Sequence, residues 1–181
     1  MRIIGGQSRG RTLRAPAGQV TRPTSQRARQ IIFDLLMHAP WYGRTLLENA
    51  LVLDCFAGTG ALGLEALSRG AKFASFFEKD RSAATILRDN IKACSAEIQS
   101  KVFLCDATKP PTAPQQHNLV FLDPPYGKGL ISLTLRALRE TGWLAEKTLI
   151  IAESEHQDDE PGPSLLLKRH IGVAELRFWY L

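Results

Sequence analysis

Five short apolar runs recur from residue 50 onward, and they constrain the fold more than any other feature of the sequence. The runs are ALVL (50–53), FASFF (73–77), VFLC (102–105), NLVFL (118–122) and TLIIA (148–152). None of them alternates apolar with polar residues, which predicts strands covered on both faces, as in a parallel sheet with helices on each side. Helical patterns lie between most of the runs, over residues 60–69, 80–94 and 129–140. The sequence therefore predicts a doubly wound α/β sheet.

The carboxyl-terminal segment has a different pattern. Residues 164–181, SLLLKRHIGVAELRFWYL, form two apolar stretches on either side of Gly172. A glycine between two such stretches is typical of a turn that joins neighbouring antiparallel strands. We therefore expect an antiparallel hairpin to close the otherwise parallel sheet.

The composition excludes several classes of protein. The chain has 181 residues, of which 44% are hydrophobic, enough for one well-buried core and a small appendage. No run of 18 apolar residues occurs and the amino terminus is not a signal peptide, so we expect a cytoplasmic protein without a membrane partner. The three cysteines and four histidines are scattered, which predicts neither a disulfide framework nor a metal site.

Positive charge is concentrated at the amino terminus. The first 30 residues hold seven of the 23 basic residues and no acidic residue, which leaves 16 basic and 18 acidic residues in the remainder. Arginine grips phosphate in a fixed fork, so this distribution favours an arm that contacts nucleic acid. A solvated, solubilising tail is the alternative interpretation.

The first 40 residues are predicted to form a basic extension, and residues 41–181 the main domain. Residues 2–20 resemble a strand or loose hairpin. An amphipathic helix follows Pro23, with Thr24 or Ser25 as its cap, and Pro40 ends it. The apolar residues of this helix recur at helical spacing: Ala28, Ile31, Ile32, Leu35 and Leu36.

A glycine motif follows the first apolar run. Gly58, Gly60 and Gly63 form a G-x-G-x-x-G pattern directly after a predicted strand and at the start of a predicted helix. This is the context in which such a turn binds a nucleoside cofactor. Glu78 ends the second strand, where its carboxylate could bind both ribose hydroxyls, although an exposed strand-end acid is the alternative. Asp106 ends the third strand, within reach of an adenine amino group.

Asp54 discriminates between nucleoside cofactors. It lies four residues before Gly58, at the mouth of the turn. In a nicotinamide dehydrogenase this turn holds a pyrophosphate, which a carboxylate would repel. The ammonium and sulfonium groups of S-adenosyl-L-methionine would instead be attracted. The alternative is that Asp54 only ties down the turn. We also place Phe56 and Ala107 among the candidate cofactor contacts, although Phe56 could equally belong to the core.

Two motifs resemble a known class of enzyme. The segment DCFAGTGALGLEALSRGA (54–71) resembles the cofactor motif of class I methyltransferases, and DPPY (123–126) resembles the motif of enzymes that methylate exocyclic amino groups of bases. The resemblance implies a Rossmann-like sheet and S-adenosyl-L-methionine as cofactor. It also implies that Tyr126 stacks on the base while Asp123 and the Pro124 carbonyl hold the amino group.

The residues of DPPY suit this chemistry. An exocyclic amine is a weak nucleophile, because its lone pair is delocalised into the ring. Two acceptors fixed on its two N–H bonds favour the change towards a tetrahedral nitrogen. Asp123 and the carbonyl of Pro124 can supply them, and the adjacent Pro125 restricts the backbone so that the carbonyl is aimed in advance. An aromatic face at Tyr126 would add ~1–3 kcal/mol of stacking. The alternative is a strand-ending turn with a packing tyrosine.

Nearly the whole chain resembles the bacterial RsmD family of 16S ribosomal RNA guanine-N2 methyltransferases. The likeness spans the amino-terminal RIIGGQSRGRTL and RPTSQRARQ segments, both motifs above, GWLAEKTLIIAESE and the final hairpin. It implies an RNA substrate in the small ribosomal subunit or its assembly intermediate. Matching arginine-rich positions imply RNA contacts at five residues: Arg9, Arg11, Arg22, Thr24 and Arg27. Gln26 and Gln30 replace the acids that the family usually has, which removes negative charge near this face.

Other functions remain open at this point. An adenine-N6 methyltransferase acting on DNA or RNA would share DPPY but not the amino-terminal likeness. A nicotinamide dehydrogenase is suggested by the glycine pattern alone, and both Asp54 and the Pro-Pro turn argue against it. A non-catalytic RNA-binding assembly factor could retain the fold, but the acid and aromatic of DPPY argue against that function.

Overall fold

The computed structural model of the chain describes residues 1–15, 26–125, 129–155, 165–172 and 174–181. Five helices and seven strands lie in these ranges. The helices are α1 (Gln26–His38), α2 (Arg44–Glu48), α3 (Ala61–Ser68), α4 (Arg81–Ala93) and α5 (Leu130–Glu140). The strands are β1 (Leu51–Asp54), β2 (Phe73–Glu78), β3 (Ser100–Leu104), β4 (His117–Leu122), β5 (Leu144–Glu155), β6 (Leu165–Ile171) and β7 (Ala174–Tyr180). None of the helices in the described ranges is long and apolar enough to cross a membrane.

All seven strands form one sheet in the order β3-β2-β1-β4-β5-β7-β6. The first five strands are parallel, whereas β7 runs antiparallel to both β5 and β6. The predicted doubly wound sheet with a carboxyl-terminal antiparallel hairpin is confirmed, and the turn of that hairpin is at Gly172, which has a positive φ of 63°. The strand order reverses direction at β1, which makes the carboxyl ends of β1 and β4 the expected place for a binding crevice.

Both faces of the sheet are buried, as the non-alternating strands predicted. One face is covered by α1, α3, α4 and the first residues of the chain, and its core includes Val52, Phe76 and Phe121. The other face is covered by α5 and by Trp143, whose ring lies edge-on to Phe77 with ring centroids 4.7 Å apart. The division of the chain at residue 40 stays a prediction, while Ile3 and Phe33 are part of the same core cluster as the sheet.

The amino-terminal residues form a short hairpin against the carboxyl end of α3. Arg2 and Thr12 pair as an antiparallel bridge, and the Ser68 hydroxyl donates to the Gly5 carbonyl at 2.5 Å. The backbone comes so close to the helix that a Cβ atom at Gly6 would lie 1.7 Å from the Ser68 carbonyl oxygen. Gly6 also has a positive φ of 73°, so both the close approach to α3 and the backbone conformation favour glycine at this position.

A fully buried carboxylate fastens this hairpin. Glu65 on α3 accepts hydrogen bonds from the backbone N–H groups of Ile4 and Gly5 at 2.7 and 2.8 Å, and from Nε of Arg69 at 2.8 Å. Arg29 on α1 is also fully buried, and burial lowers its pKa while Glu65 opposes that change. Arg29 donates from Nη2 to the Arg2 carbonyl at 3.1 Å. It is therefore an internal connection between α1 and the hairpin, not part of the predicted surface arm.

The substitution Glu65→Gln should lower the free energy of unfolding by about 2–4 kcal/mol. The amide can accept fewer hydrogen bonds and leaves buried donors and Arg69 without their charged partner. Urea unfolding at neutral pH measures the loss. Glu97→Gln is the matched control, because Glu97 is exposed and its substitution should change stability by less than about 0.5 kcal/mol. Equal stability of the two variants would contradict this account of the hairpin.

Candidate functional site

The candidate residues at the ends of β1, β2, β3 and β4 meet at one edge of the sheet. Asp54, the last residue of β1, pairs with Phe76 of β2 on one side and with Phe121 of β4 on the other. Glu78 pairs with Leu104, two residues before Asp106. The segment that begins with Asp123 follows β4 directly. Parallel register therefore brings the glycine turn, the two predicted nucleoside acids and the DPPY segment to the carboxyl edge.

Each of the three glycines of the motif occupies a position where the local geometry favours glycine. Gly58 and Gly60 have positive φ values of 52° and 80°, and Gly60 caps the start of α3 in the left-handed conformation. Gly63 lies inside α3, where a Cβ atom would be 2.3 Å from the ring of Phe76 on β2. Two glycines thus form the turn, and the third allows α3 to lie close against the sheet. A Cβ atom at Gly58 would have no neighbour within 4 Å in the described residues, which leaves open space beside the turn.

Asp54 is buried at the base of the turn, with 2% of its surface exposed. Its Oδ2 accepts a hydrogen bond from the N–H of Gly63 at 3.0 Å. Burial and, to a smaller extent, the charge of Glu78 raise the pKa of Asp54 to about 7, while the N–H groups of Gly63 and Phe56 oppose the rise. The carboxylate therefore ties down the turn, the alternative considered from the sequence. A contact between Asp54 and a cationic cofactor group stays a prediction.

Glu78 connects the glycine turn to the start of α4. Its Oε2 accepts from the N–H of Gly58 at 2.9 Å, and its Oε1 accepts from the N–H of Asp80 at 2.8 Å. The side chain is half-buried rather than an exposed strand-end acid. These two backbone donors fix the carboxylate beside the turn, and each oxygen retains a second lone pair that can accept from a hydroxyl.

Asp106, Ala107 and Phe56 surround the turn. Asp106 is exposed, and its Oδ1 accepts from the backbone N–H of Thr108 at 2.8 Å and from the Thr108 hydroxyl at 2.7 Å. These two hydrogen bonds lower the pKa of Asp106, so the group is an anion at neutral pH. Ala107 is buried, and Phe56 is half-buried against the core on the α5 side of the sheet. A contact between Phe56 and the cofactor stays a prediction.

The DPPY segment begins at the same edge. Asp123 is half-buried, Pro124 is buried and Pro125 is exposed. The peptide of the preceding strand is held against the glycine turn, because the N–H of Cys55 donates to the Phe121 carbonyl at 3.1 Å. Tyr126 lies outside the described residues, so its predicted stacking role stays a prediction.

Three of the five predicted RNA-contact residues lie within the described residues. Arg9 and Arg11 are exposed on the amino-terminal hairpin, and Arg27 is exposed at the start of α1. Arg22 and Thr24 lie outside the described residues, as do both candidate caps of α1. In the described ranges, no group of three metal-ligating side chains comes together.

The sequence interpretation missed two buried polar residues near the site. Glu65 interrupts the apolar run of α3, and a charge in such a run was the signal that could have identified it. Asn90 on α4 is 1% exposed and donates from Nδ2 to the carbonyls of Thr59 and Arg14 at 2.9 and 3.0 Å. Asn90 thereby joins the glycine turn to the amino-terminal segment, and no local pattern indicated this.

The chain matches one protein family along almost its whole length. The family profile, described as Conserved hypothetical protein 95, matches residues 1–179. Ribosomal RNA small subunit methyltransferase D of Escherichia coli (strain K12) is 42% identical over 167 residues, which cover 89% of this chain and 78% of that protein.

Solved structures give a consistent result. The yhhF protein of Escherichia coli has a TM-score of 0.84 and 38% sequence identity, over 99% of this chain and 97% of that one. An RNA methyltransferase from Salinibacter ruber, solved in complex with S-adenosyl-L-homocysteine, has a TM-score of 0.65 and 16% identity. That likeness covers 87% of this chain and 92% of the other, and at this identity it establishes a common fold alone.

The substitution Asp54→Asn should change how stability depends on pH. With its pKa raised to about 7, Asp54 holds a proton in the folded protein between about pH 4 and 7, whereas the unfolded chain has lost it. The group's contribution to stability is therefore complete below about pH 4 and is lost as the pH rises through 7.

Asparagine does not titrate, so the variant should gain stability relative to the wild type over that interval, by up to about 4 kcal/mol. Urea unfolding between about pH 4.5 and 7.5 measures the difference. Asp34→Asn, at an exposed position on α1, is the control. Parallel stability profiles for Asp54→Asn and the wild type would contradict the burial cost assigned to Asp54.

Proposed function

Because this chain belongs to the RsmD family of methyltransferases, we propose that it transfers a methyl group from S-adenosyl-L-methionine to the exocyclic N2 amino group of a guanine in 16S ribosomal RNA. The substrate is the small ribosomal subunit or an assembly intermediate of it, in the cytoplasm. One observation carries the proposal: the DPPY segment and the glycine turn follow neighbouring parallel strands, β4 and β1. A base bound at the DPPY segment would therefore lie next to a cofactor bound at the glycine turn.

The groups around the turn fit this cofactor. Three carboxylates lie at the ends of β1, β2 and β3: Asp54, Glu78 and Asp106. Such a set suits a ligand that presents hydroxyls, an amino group and positive charge, and it disfavours a pyrophosphate. Glu78 would hold the ribose hydroxyls, Asp106 and Ala107 the adenine, and the open space beside Gly58 would admit the ligand next to the backbone. When bound, S-adenosyl-L-methionine supplies an electrophilic methyl group.

The residues of DPPY would bind the amine and favour its attack on the methyl group. Asp123 and the carbonyl of Pro124 accept hydrogen bonds from the two N–H groups of the base, which favours the tetrahedral nitrogen of the transition state. Asp123 then accepts the proton that the amine releases, late in the reaction. The buried Pro124 and the adjacent Pro125 hold the carbonyl in one direction. Tyr126 provides the ring on which the extruded base stacks.

Exposed arginines would hold the RNA. Arg9 and Arg11 on the hairpin and Arg27 on α1 lie on the same side of the sheet as α3, whose amino end is the glycine turn. Arg22 and Thr24 belong to the same proposed contact region on the strength of the sequence motif. Phosphate contacts of this kind position a folded RNA without reading its sequence.

The substitution Asp123→Ala should lower methyl transfer by at least about 100-fold, because it removes both an acceptor for the amine and the proton acceptor. Transfer of a labelled methyl group to purified small ribosomal subunits measures the rate. The affinity for S-adenosyl-L-homocysteine, measured by calorimetry, should stay within about twofold of the wild type, since the proposed partner of Asp123 is the base and not the cofactor.

Glu78→Gln should change the cofactor affinity, which Asp123→Ala should leave nearly unchanged. This substitution should weaken S-adenosyl-L-homocysteine by about 10-fold, because one charged acceptor for a ribose hydroxyl is lost. An Asp123→Ala variant that methylated normally would overturn the role of Asp123. Unchanged cofactor affinity in Glu78→Gln would overturn the ribose assignment.

A further inference from the structure

Helix α4 carries a stripe of positive charge that the proposed reaction does not use. Arg81, Arg88 and Lys92 are exposed, and their spacing of seven and four residues places them on one side of the helix. The opposite side carries the buried Ala83, Leu87 and Ile91, which cover the sheet. At 1.5 Å per residue the stripe is roughly 16 Å long.

The two acids on and directly before α4 both have partners. Asp80 caps the helix, and its Oδ1 accepts from the N–H of Ala83 at 2.8 Å and from the Ser82 hydroxyl. Asp89 lies between the stripe and the amino-terminal segment, 3.8 Å from Nη1 of Arg14. The three basic residues therefore form a row on the exposed side of α4, with Asp89 at the edge of the row beside Arg14.

The amino-terminal segment is bound to the same helix. Oδ1 of Asn90 accepts from the N–H of Arg14 at 2.8 Å, and the Ser8 hydroxyl donates to the Cys94 carbonyl at 3.4 Å. The Ser8 hydrogen bond places the hairpin beside the carboxyl end of α4, where burial raises the pKa of the Cys94 thiol and the charge of Arg11 opposes that rise. The exposed arginines of the hairpin and the stripe on α4 thus adjoin.

We propose that the hairpin arginines and the α4 stripe form one continuous surface that binds the phosphate backbone of the RNA. This inference rests on the proposed function and extends its RNA contacts to a helix outside the amino-terminal arm. The helix begins at Arg81, three residues after Glu78, so an RNA strand on the stripe leads to the carboxyl edge where the cofactor turn lies. Guanidinium and ammonium groups in a row suit a chain of phosphates.

The double substitution Arg88→Ala with Lys92→Ala tests the surface. Binding of a labelled 16S ribosomal RNA fragment is measured at several salt concentrations. We expect about 10-fold weaker binding at low salt and a decrease of about one to two units in the slope of log affinity against log salt. Arg136→Ala with Arg139→Ala is the matched control, because both arginines are exposed on α5, which covers the other face of the sheet. The control should bind as the wild type does.

Melting temperatures verify that both double variants fold, and Arg88→Gln with Lys92→Gln repeats the test with longer side chains. Wild-type affinity and salt slope in both α4 variants would overturn this inference and leave the proposed function standing. An equal loss in the α5 control would also overturn it, because the effect would then reflect net charge. If the wild type itself neither bound the RNA nor methylated it, the proposed function would fail and this inference with it.

Discussion

The hydrogen bond from the N–H of Gly63 to the buried carboxylate of Asp54 is the constraint on which the candidate site depends. It fixes the first turn of α3 against the end of β1. Glu78 fixes the other side of the same turn through the N–H of Gly58. This arrangement buries Asp54, and its pKa rises to about 7 mainly because of that burial. Asp54 and Glu78 together fix the turn at the carboxyl edge of the sheet, with open space beside Gly58.

Helix α3 also links the cofactor side of the molecule to its basic extension. Its amino end is the glycine turn, while Glu65 and Ser68 further along hold the backbone of the amino-terminal hairpin. Asn90 adds a second connection, because its one amide group contacts both Thr59 in the turn and Arg14 in the extension. The parts proposed to bind cofactor and RNA are therefore positioned by the same two helices, so a shift in either helix would move both.

The sequence predicted those features that depend on local patterns. The glycine turn, the parallel sheet and the final hairpin follow from spacing and apolar runs, and the structure confirms them. The fully buried Arg29 was not predicted, since the groups that it interacts with, the Arg2 carbonyl and the charge of Glu65, lie 27 and 36 positions away along the chain. The short helix α2 was also missed, because five residues are too few for a helical period to be evident. Strand β5 begins at Leu144, earlier than the apolar run indicated, because Leu144 already pairs with His117 of β4 ahead of an irregularity in the register that separates it from the next pair, Leu119 with Leu149.

The identity of the methylated nucleoside tests the central claim most directly. Small ribosomal subunits from cells that lack this protein would be incubated with the purified enzyme and S-adenosyl-L-methionine, and the 16S ribosomal RNA digested to nucleosides. The account predicts one new N2-methylguanosine per subunit, present with the wild type and absent with Asp123→Ala. N6-methyladenosine in its place, or no methylated nucleoside at all, would contradict it.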